Sequence, residues 1–324
     1  MNTSASEKTA LNTVKCGFKF FYICTSEITI NAFLSIPLGI RYMILSAFAF
    51  SIMALFVKLV GDHGIPVLEI VAARSLISLV ISYLGLRREG IAVLGTRKGL
   101  LAARGLIGFA ALICVFYAIT HLPLAEAMVL QYLHPMFTAL LALFFLKEAL
   151  RVGTLVCIVL SFFGVLIIVQ PDVLFSSTTV DFDFFTVMIA IAGAFGSAVA
   201  YTLVRALGKT EHPLVIVMYF PLISLPASLI LLWGDFVIPV GIEWFYLLAI
   251  GVATQVGQVG LTKSMRTESA GRATSFGYLQ VVFAMLLGML FYQEYPSLNT
   301  LLGAGLIIIG AYLNLTWKEK VKEI

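Results

Sequence analysis

The sequence predicts an all-helical integral membrane protein, with ten transmembrane helices arranged as two inverted five-helix repeats. Three observations predict this fold: the amino-acid composition, the spacing of the apolar runs, and the internal match between the two halves of the chain. Of the 324 residues, 60% are hydrophobic and 12% are charged, and the mean hydropathy is +1.03. Soluble domains have about 25% charged residues. Lipid tolerates outward-facing Leu, Ile, Val and Phe side chains, so the composition excludes a soluble domain.

The apolar runs set the number of spans, because about 20 apolar residues cross the roughly 30 Å hydrocarbon core. Ten runs of about this length are separated by charged or turn residues. Residues 1–40 are predicted to be a cytoplasmic tail without a clear cleavable signal peptide, and residues 318–324 a basic cytoplasmic tail. The ten predicted spans are 42–60, 65–86, 100–119, 125–146, 152–170, 184–203, 214–233, 242–262, 273–292 and 300–317.

The distribution of charge predicts the orientation of the spans. Both tails and alternate loops carry nearly all the Lys and Arg residues, with Arg104 counted among the charges at the adjacent helix ends. Only Lys58 and Arg74 lie elsewhere. Cytoplasmic loops are enriched in Lys and Arg, so both termini are expected in the cytoplasm. Without a clear targeting peptide, the plasma (inner) membrane of a bacterium is the expected location.

The two halves of the chain match each other at nearly constant offsets. Each half holds five spans, an odd number, so the second half is expected to be inverted in the membrane relative to the first. The repeats are predicted at 41–171 and 184–317. An offset of 147 residues pairs Lys58 with Arg205, Gly61 with Gly208 and Pro66 with Pro213; an offset of 146 pairs Tyr132 with Tyr278 and Glu148 with Glu294.

Several short motifs resemble the drug/metabolite transporter superfamily and, within it, the EamA-type ten-helix group. The resemblance covers residues 41–317, although the position that matches Arg74 in the second half is Pro221. It implies a permease for small organic solutes such as amino acids, organic anions or S-adenosylmethionine, and it does not name the substrate. The motifs are Ala73-Arg74-Ser75, Phe116-Tyr117-Ala118, Leu124-Ala125-Glu126-Ala127 leading to Pro135, Phe145-Leu146-Lys147-Glu148 and Phe291-Tyr292-Gln293-Glu294.

Arg74 is the first candidate for the solute-binding site. It lies near the middle of the second predicted span, where an Arg costs about 2.5 to 3.5 kcal/mol on insertion scales. A bidentate grip on a carboxylate or phosphate of the solute would stabilise the guanidinium group there. The alternative is a structural pair with Glu69 or Glu126, and the sequence favours neither interpretation.

Further polar side chains at mid-span depth are candidates for the same site. His134 precedes Pro135, which removes a helical hydrogen bond and should make the fourth span irregular beside a cavity. The His134 side chain could serve a proton-coupled step, or it could be a neutral hydrogen-bonding group of the core. The other candidate site residues are Gln131, Gln258, Gln280, Tyr117 and Tyr201, each of which could instead stabilise helix packing.

Other features set limits on the chemistry. No catalytic, nucleic-acid or metal-binding pattern is apparent and no cofactor is expected, but a membrane-embedded enzyme acting on a lipid or acyl substrate is the alternative function. Glu148 and Glu294 are predicted to be caps or loop anchors, with gating as the alternative. The glycines of spans eight and ten are predicted to allow close helix packing, with a homodimer seam as the alternative.

Overall fold

The computed structural model describes residues 36–61, 63–121, 130–169, 184–233, 235–293 and 296–317. Within these ranges the chain forms helices joined by turns and loops, without a strand. A short 3-10 helix, Phe276–Tyr278, joins the helices Ala270–Ser275 and Leu279–Tyr292. The α-helices are α1 (Leu38–Gly61), α2 (Val67–Arg88), α3 (Lys98–His121), α4 (His134–Phe145), α5 (Val152–Val169), α6 (Phe184–Leu207), α7 (Pro213–Leu231), α8 (Glu243–Thr267), α9 (Ala270–Ser275), α10 (Leu279–Tyr292) and α11 (Leu298–Thr316).

Nine helical stretches among the described residues are long and apolar enough to cross a membrane, with Ala270–Phe291 counted as one. The shorter α4, with 12 residues, occupies the second half of the predicted fourth span. The beginning of that span, residues 125–129, lies outside the described residues. The prediction of an all-helical membrane fold is confirmed.

Helices of the first half pack mainly against helices of the second half. α1 packs on α8, and α3 packs on α6; α2 packs on α7, and α5 packs on α11. α4 contacts α6, while α10 contacts α1. Each of these contacts has a counterpart when the two halves are exchanged. The halves therefore interleave, and the centre of the bundle is shared between them.

Glycines allow the closest of these contacts, between α5 and α11. A Cβ atom added at Gly164 would lie 2.6 Å from the carbonyl oxygen of Gly303, and one added at Gly310 would lie 3.2 Å from that of Cys157. Helices in lipid associate through such close packing. The predicted packing role is therefore confirmed for Gly303 and Gly310, whereas a Cβ at Gly305 would meet nothing within 4 Å.

This contrast within one helix gives a matched test. We expect Gly303→Ala to lower the apparent melting temperature of the purified protein, because overpacking costs about 1 to 3 kcal/mol. Gly305→Ala should leave it unchanged or raise it, since Ala favours the helix by up to about 1 kcal/mol. Equal melting temperatures for the two variants would contradict the packing of α5 on α11.

Glu148 joins several elements at one end of the bundle. Its carboxylate accepts hydrogen bonds from Arg205 Nε at 2.6 Å and from the Ala270 backbone N–H at 2.8 Å. Arg205 also donates to the carbonyl oxygen of Met265 at 2.7 Å. Glu148 is therefore a loop anchor, as predicted; its counterpart Glu294 lies outside the described residues.

Glu211 connects the loop between α6 and α7 to the beginning of α3. Its side chain, 6% exposed, accepts hydrogen bonds from the Thr96 and Arg97 backbone N–H groups at 2.9 and 2.6 Å. Burial raises the pKa of the Glu211 carboxyl, but these bonds and one from the Thr96 hydroxyl outweigh it and hold the pKa below its ordinary value. The negative charge also lies at a helix N-terminus, where it is favoured.

We expect Glu211→Gln to destabilise the protein at pH 7, because hydrogen bonds to a charged group contribute about 1.5 to 3 kcal/mol. A lowered folded-state pKa stabilises the fold above the unfolded value of about 4.3, and this stabilisation is lost as the pH falls through the folded-state pKa. The difference in melting temperature between wild type and variant should therefore shrink below about pH 4.

Glu89→Gln is the control, since Glu89 is exposed and its carboxylate makes only a surface contact, 3.2 Å from His212 Nε2, of a type that contributes little. A Glu211→Gln difference that stayed constant down to acid pH would show that the carboxylate charge is unimportant.

Candidate functional site

The fourth helix of each half is interrupted at the centre of the bundle. A turn at Tyr132 and Leu133 precedes α4, and the 3-10 helix Phe276–Tyr278 precedes α10. Pro135, in the first turn of α4, has no N–H to donate. The irregularity predicted beside His134 is therefore present.

The two interruptions contact each other. Tyr278 Oη donates a hydrogen bond to the carbonyl oxygen of Tyr132 at 2.9 Å. The two rings stack with centroids 5.7 Å apart, and the Tyr278 side chain is fully buried. This contact joins equivalent positions of the two halves.

A cavity of about 260 Å³ lies beside this contact. Both halves contribute to its wall: α1, α2, α3 and the start of α4 from the first, and α6, α7, α8 and α10 from the second. The structure brings six of the seven predicted site residues together here, namely Arg74, Gln131, His134, Tyr201, Gln258 and Gln280.

Tyr117, the seventh predicted residue, is not among the residues that line this cavity. It lies near the end of α3, where its ring stacks on that of His121 with centroids 3.9 Å apart. Gln255, another mid-span glutamine, is committed to packing, since it accepts a hydrogen bond from Ser78 and donates one to Ser82.

Arg104 is a cavity residue that the sequence analysis missed. Its side chain is only 3% exposed, and Nη2 donates to Oε1 of Gln258 at 3.1 Å. The prediction assigned it to the cytoplasmic helix end because Arg97 and Lys98 lie just before it. Its position inside the apolar run 100–119 was the signal for a buried charge.

Both arginines lie against the ring of Phe220. The guanidinium carbons of Arg74 and Arg104 are 5.5 and 5.2 Å from its centroid, within the range of cation–π attraction. Nη1 of Arg74 contacts Met53 Sδ at 3.8 Å, a weak acceptor. Arg74 Nε, Arg104 Nε and Arg104 Nη1 are buried without a hydrogen-bond partner.

Neither arginine has a carboxylate partner among the described residues. Glu69, proposed as a structural partner of Arg74, instead accepts a hydrogen bond from the Val237 backbone N–H at 3.0 Å. That alternative was wrong for Glu69, and Glu126 lies outside the described residues. The described wall of the cavity therefore carries two positive charges and no negative one.

Uncharged groups complete the cavity. The His134 ring meets the Tyr201 ring edge-on, with centroids 5.3 Å apart. His134 Nδ1 and Gln131 Oε1 are buried without hydrogen-bond partners. No group of three or more His, Cys, Asp or Glu residues suited to a metal ion occurs in the described part of the chain. The cavity thus presents positive charge, uncommitted polar atoms and aromatic surface.

A family model described as the EamA-like transporter family matches residues 37–170 and 184–316, which is most of the chain. The chain belongs to the EamA-like transporter family. The resemblance noted in the sequence is thereby confirmed, and the family model matches the chain twice, once in each half. The chain is a transmembrane transporter that handles small-molecule solutes.

Named relatives agree with this family. The chain is 35% identical over 272 residues to the pseudopaline exporter CntI of Pseudomonas aeruginosa, covering 84% of this chain and 93% of the exporter. It is 32% identical over 299 residues to human solute carrier family 35 member G1, covering 88% and 81%. These relatives are named as transporters, so the alternative of a membrane-embedded enzyme is excluded.

A solved crystal structure has the same fold. It matches with a TM-score of 0.73 at 20% identity, and the match covers 85% of this chain and 95% of the other. At this identity the match concerns the fold alone.

The contact between the two interrupted helices can be tested by removing one hydroxyl. Tyr278→Phe should lower the apparent melting temperature, because the buried carbonyl oxygen of Tyr132 loses its partner at a cost of about 1 to 3 kcal/mol. Tyr312→Phe is the control, since Tyr312 is 64% exposed. If both variants melt like the wild type, the Tyr278 hydrogen bond does not stabilise the fold.

Proposed function

We propose that this EamA transporter moves a small organic solute with a negative charge, such as an acidic amino acid or an organic anion, across the plasma membrane. The observation that carries the proposal is the cavity shared by both halves, where Arg74 Nε, Arg104 Nε and Arg104 Nη1 are buried without hydrogen-bond partners. Arg guanidinium groups bind carboxylates bidentately. This arrangement supports solute binding through Arg74, Gln131, His134, Gln258, Gln280 and Tyr201, and Tyr117 would act from outside the cavity.

The symmetry of the helix contacts supports alternating access as the mechanism. Inverted repeats at 41–171 and 184–317 would place equivalent helices on opposite sides of the cavity, so that rocking one set against the other opens each face in turn. The exchange-symmetric pairing of the helices fits such repeats. The interrupted fourth helices meet beside the cavity and would allow the two halves to move there.

The charge pattern and the relatives support a proposal for location and direction. The excess of Lys and Arg on one side supports cytoplasmic termini, including the tails 1–40 and 318–324. The similarity to an exporter, CntI, supports export of a small organic metabolite. A homodimer stays a prediction for this chain.

The test is thermal stabilisation of the purified protein by a panel of amino acids, organic anions, nucleosides and S-adenosylmethionine. A solute that binds the folded state raises the apparent melting temperature. At a free-solute concentration 100 times the Kd, the free energy of unfolding rises by about 2.7 kcal/mol. We expect anionic solutes to stabilise the wild type and Arg74→Gln to lose this response. Arg88→Gln is the matched control, because Arg88 is an exposed residue of the same helix.

The stabilising solutes are then tested for counterflow in proteoliposomes. Counterflow of an anion in the wild type and Arg88→Gln, but not in Arg74→Gln, is the expected result. A folded Arg74→Gln variant that binds and transports like the wild type would show that Arg74 is structural.

A further inference from the structure

We propose that the cavity recognises two negative charges on one solute, so that its substrate class is a dianion such as a dicarboxylate. This inference rests on the proposed function and sharpens it. It starts from Arg104, which the structure adds to Arg74 in the same cavity. The two residues come from consecutive helices of the first half, α2 and α3, and share one aromatic partner, Phe220.

The donors of both guanidinium groups are incompletely used. Among the described residues, Arg74 makes one polar contact, to the sulfur of Met53, and Arg104 makes one hydrogen bond, to Gln258. Three buried N–H positions, Arg74 Nε with Arg104 Nε and Nη1, have no acceptor. A buried donor without an acceptor costs more free energy when the donor group is charged than when it is neutral. Each group therefore calls for a further acceptor.

Charge balance decides how many anionic groups the solute carries. Two positive charges in a low-dielectric interior attract counter-charges much more strongly than they would in water. A monoanion would compensate one guanidinium group and leave the other buried and unpaired, which is strongly unfavourable. A dianion compensates both guanidinium groups. The described wall of the cavity supplies no carboxylate that could do so instead.

The surroundings of Arg104 support a fixed second point of attachment. The Gln258 side chain holds Nη2, and the ring of Phe220 packs near the guanidinium group. A Cβ atom at Gly108, one turn along α3, would lie 3.2 Å from the Phe220 ring and 3.5 Å from Arg104 Nη1. Glycine at this position leaves room for the ring and the guanidinium group to meet. Arg104 is thus a preorganised group rather than a mobile surface charge.

The volume bounds the size of the dianion. At about 260 Å³ the cavity is slightly smaller than the range of about 300 to 1,000 Å³ typical of drug-sized ligands. It suits a metabolite of low molecular weight. Buried Gln131 Oε1, without a partner, could accept a hydrogen bond from an N–H or O–H of such a solute.

The experiment compares dianions with their half-neutralised analogues. Succinate, glutarate and adipate are titrated into the purified full-length protein beside their monoamides and the corresponding monocarboxylates, with calorimetry and thermal stabilisation as readouts. We expect at least one dianion to bind at least about tenfold more tightly than its monoamide. Arg74→Gln and Arg104→Gln should each abolish this preference, while Arg88→Gln keeps it.

Arg104→Lys guards against a folding defect in Arg104→Gln. It keeps the charge but loses the planar fork, so it should keep the preference for the dianion with weaker binding. Glu126→Gln tests whether Glu126, which lies outside the described residues, neutralises one arginine. If it does, the wild type should show no preference for dianions, and removing that carboxylate should create one.

Several outcomes would overturn the inference. For the wild type, these are equal binding of dianions and monoamides, or binding of none of the dianions. For the variants, they are a dianion preference that remains in Arg104→Gln, or the loss of that preference in a folded Arg104→Lys protein. A preference that appears only in Glu126→Gln would overturn it as well. In each case the proposed function is judged separately, by the solute panel and by counterflow, and a monoanion that shows Arg74-dependent counterflow would keep it.

Discussion

The centre of this bundle is organised around two guanidinium groups that lie in a membrane interior without a carboxylate partner in the described structure. Such charges are expensive in a low dielectric unless they are paired or hydrogen-bonded. Phe220, Gln258 and Met53 compensate only part of this cost, since a cation–π contact or a single neutral acceptor is weaker than an ion pair. The site is therefore polarised toward an anion before any solute arrives. An anionic solute can therefore form the ion pairs that the described residues do not provide.

A symmetric scaffold carries this asymmetric site. The helix contacts have counterparts when the halves are exchanged, and Tyr132 and Tyr278 meet at equivalent positions. The polar groups differ, since His134 corresponds to Gln280 and Arg74 corresponds to Pro221. Packing symmetry suits a cavity that opens to either face, whereas recognition requires a particular set of donors. In the proposed mechanism, the matching halves would supply the first property, and the few side chains that differ between them would supply the second.

Much of the fold could be predicted from the sequence, because the thickness of the bilayer fixes the length of apolar runs and lipid excludes other secondary structure. Six of the seven candidate residues share one cavity because polar side chains in such runs face the bundle interior. Arg104 was missed because basic residues near a span end also mark the cytoplasmic surface, and hydropathy alone does not separate the two roles. Tyr117 shows the converse limit: depth along a helix can be estimated from sequence, but the direction of a side chain depends on how neighbouring helices pack.

The central claim is that the two arginines serve the solute rather than the fold. The most direct measurement is the melting temperature of the solute-free double variant Arg74→Met/Arg104→Met, together with solute binding. Apolar side chains of similar length remove two uncompensated charges, so the account predicts equal or higher stability and complete loss of anion binding. A double variant that melts well below the wild type, or that still binds the anion, would contradict it.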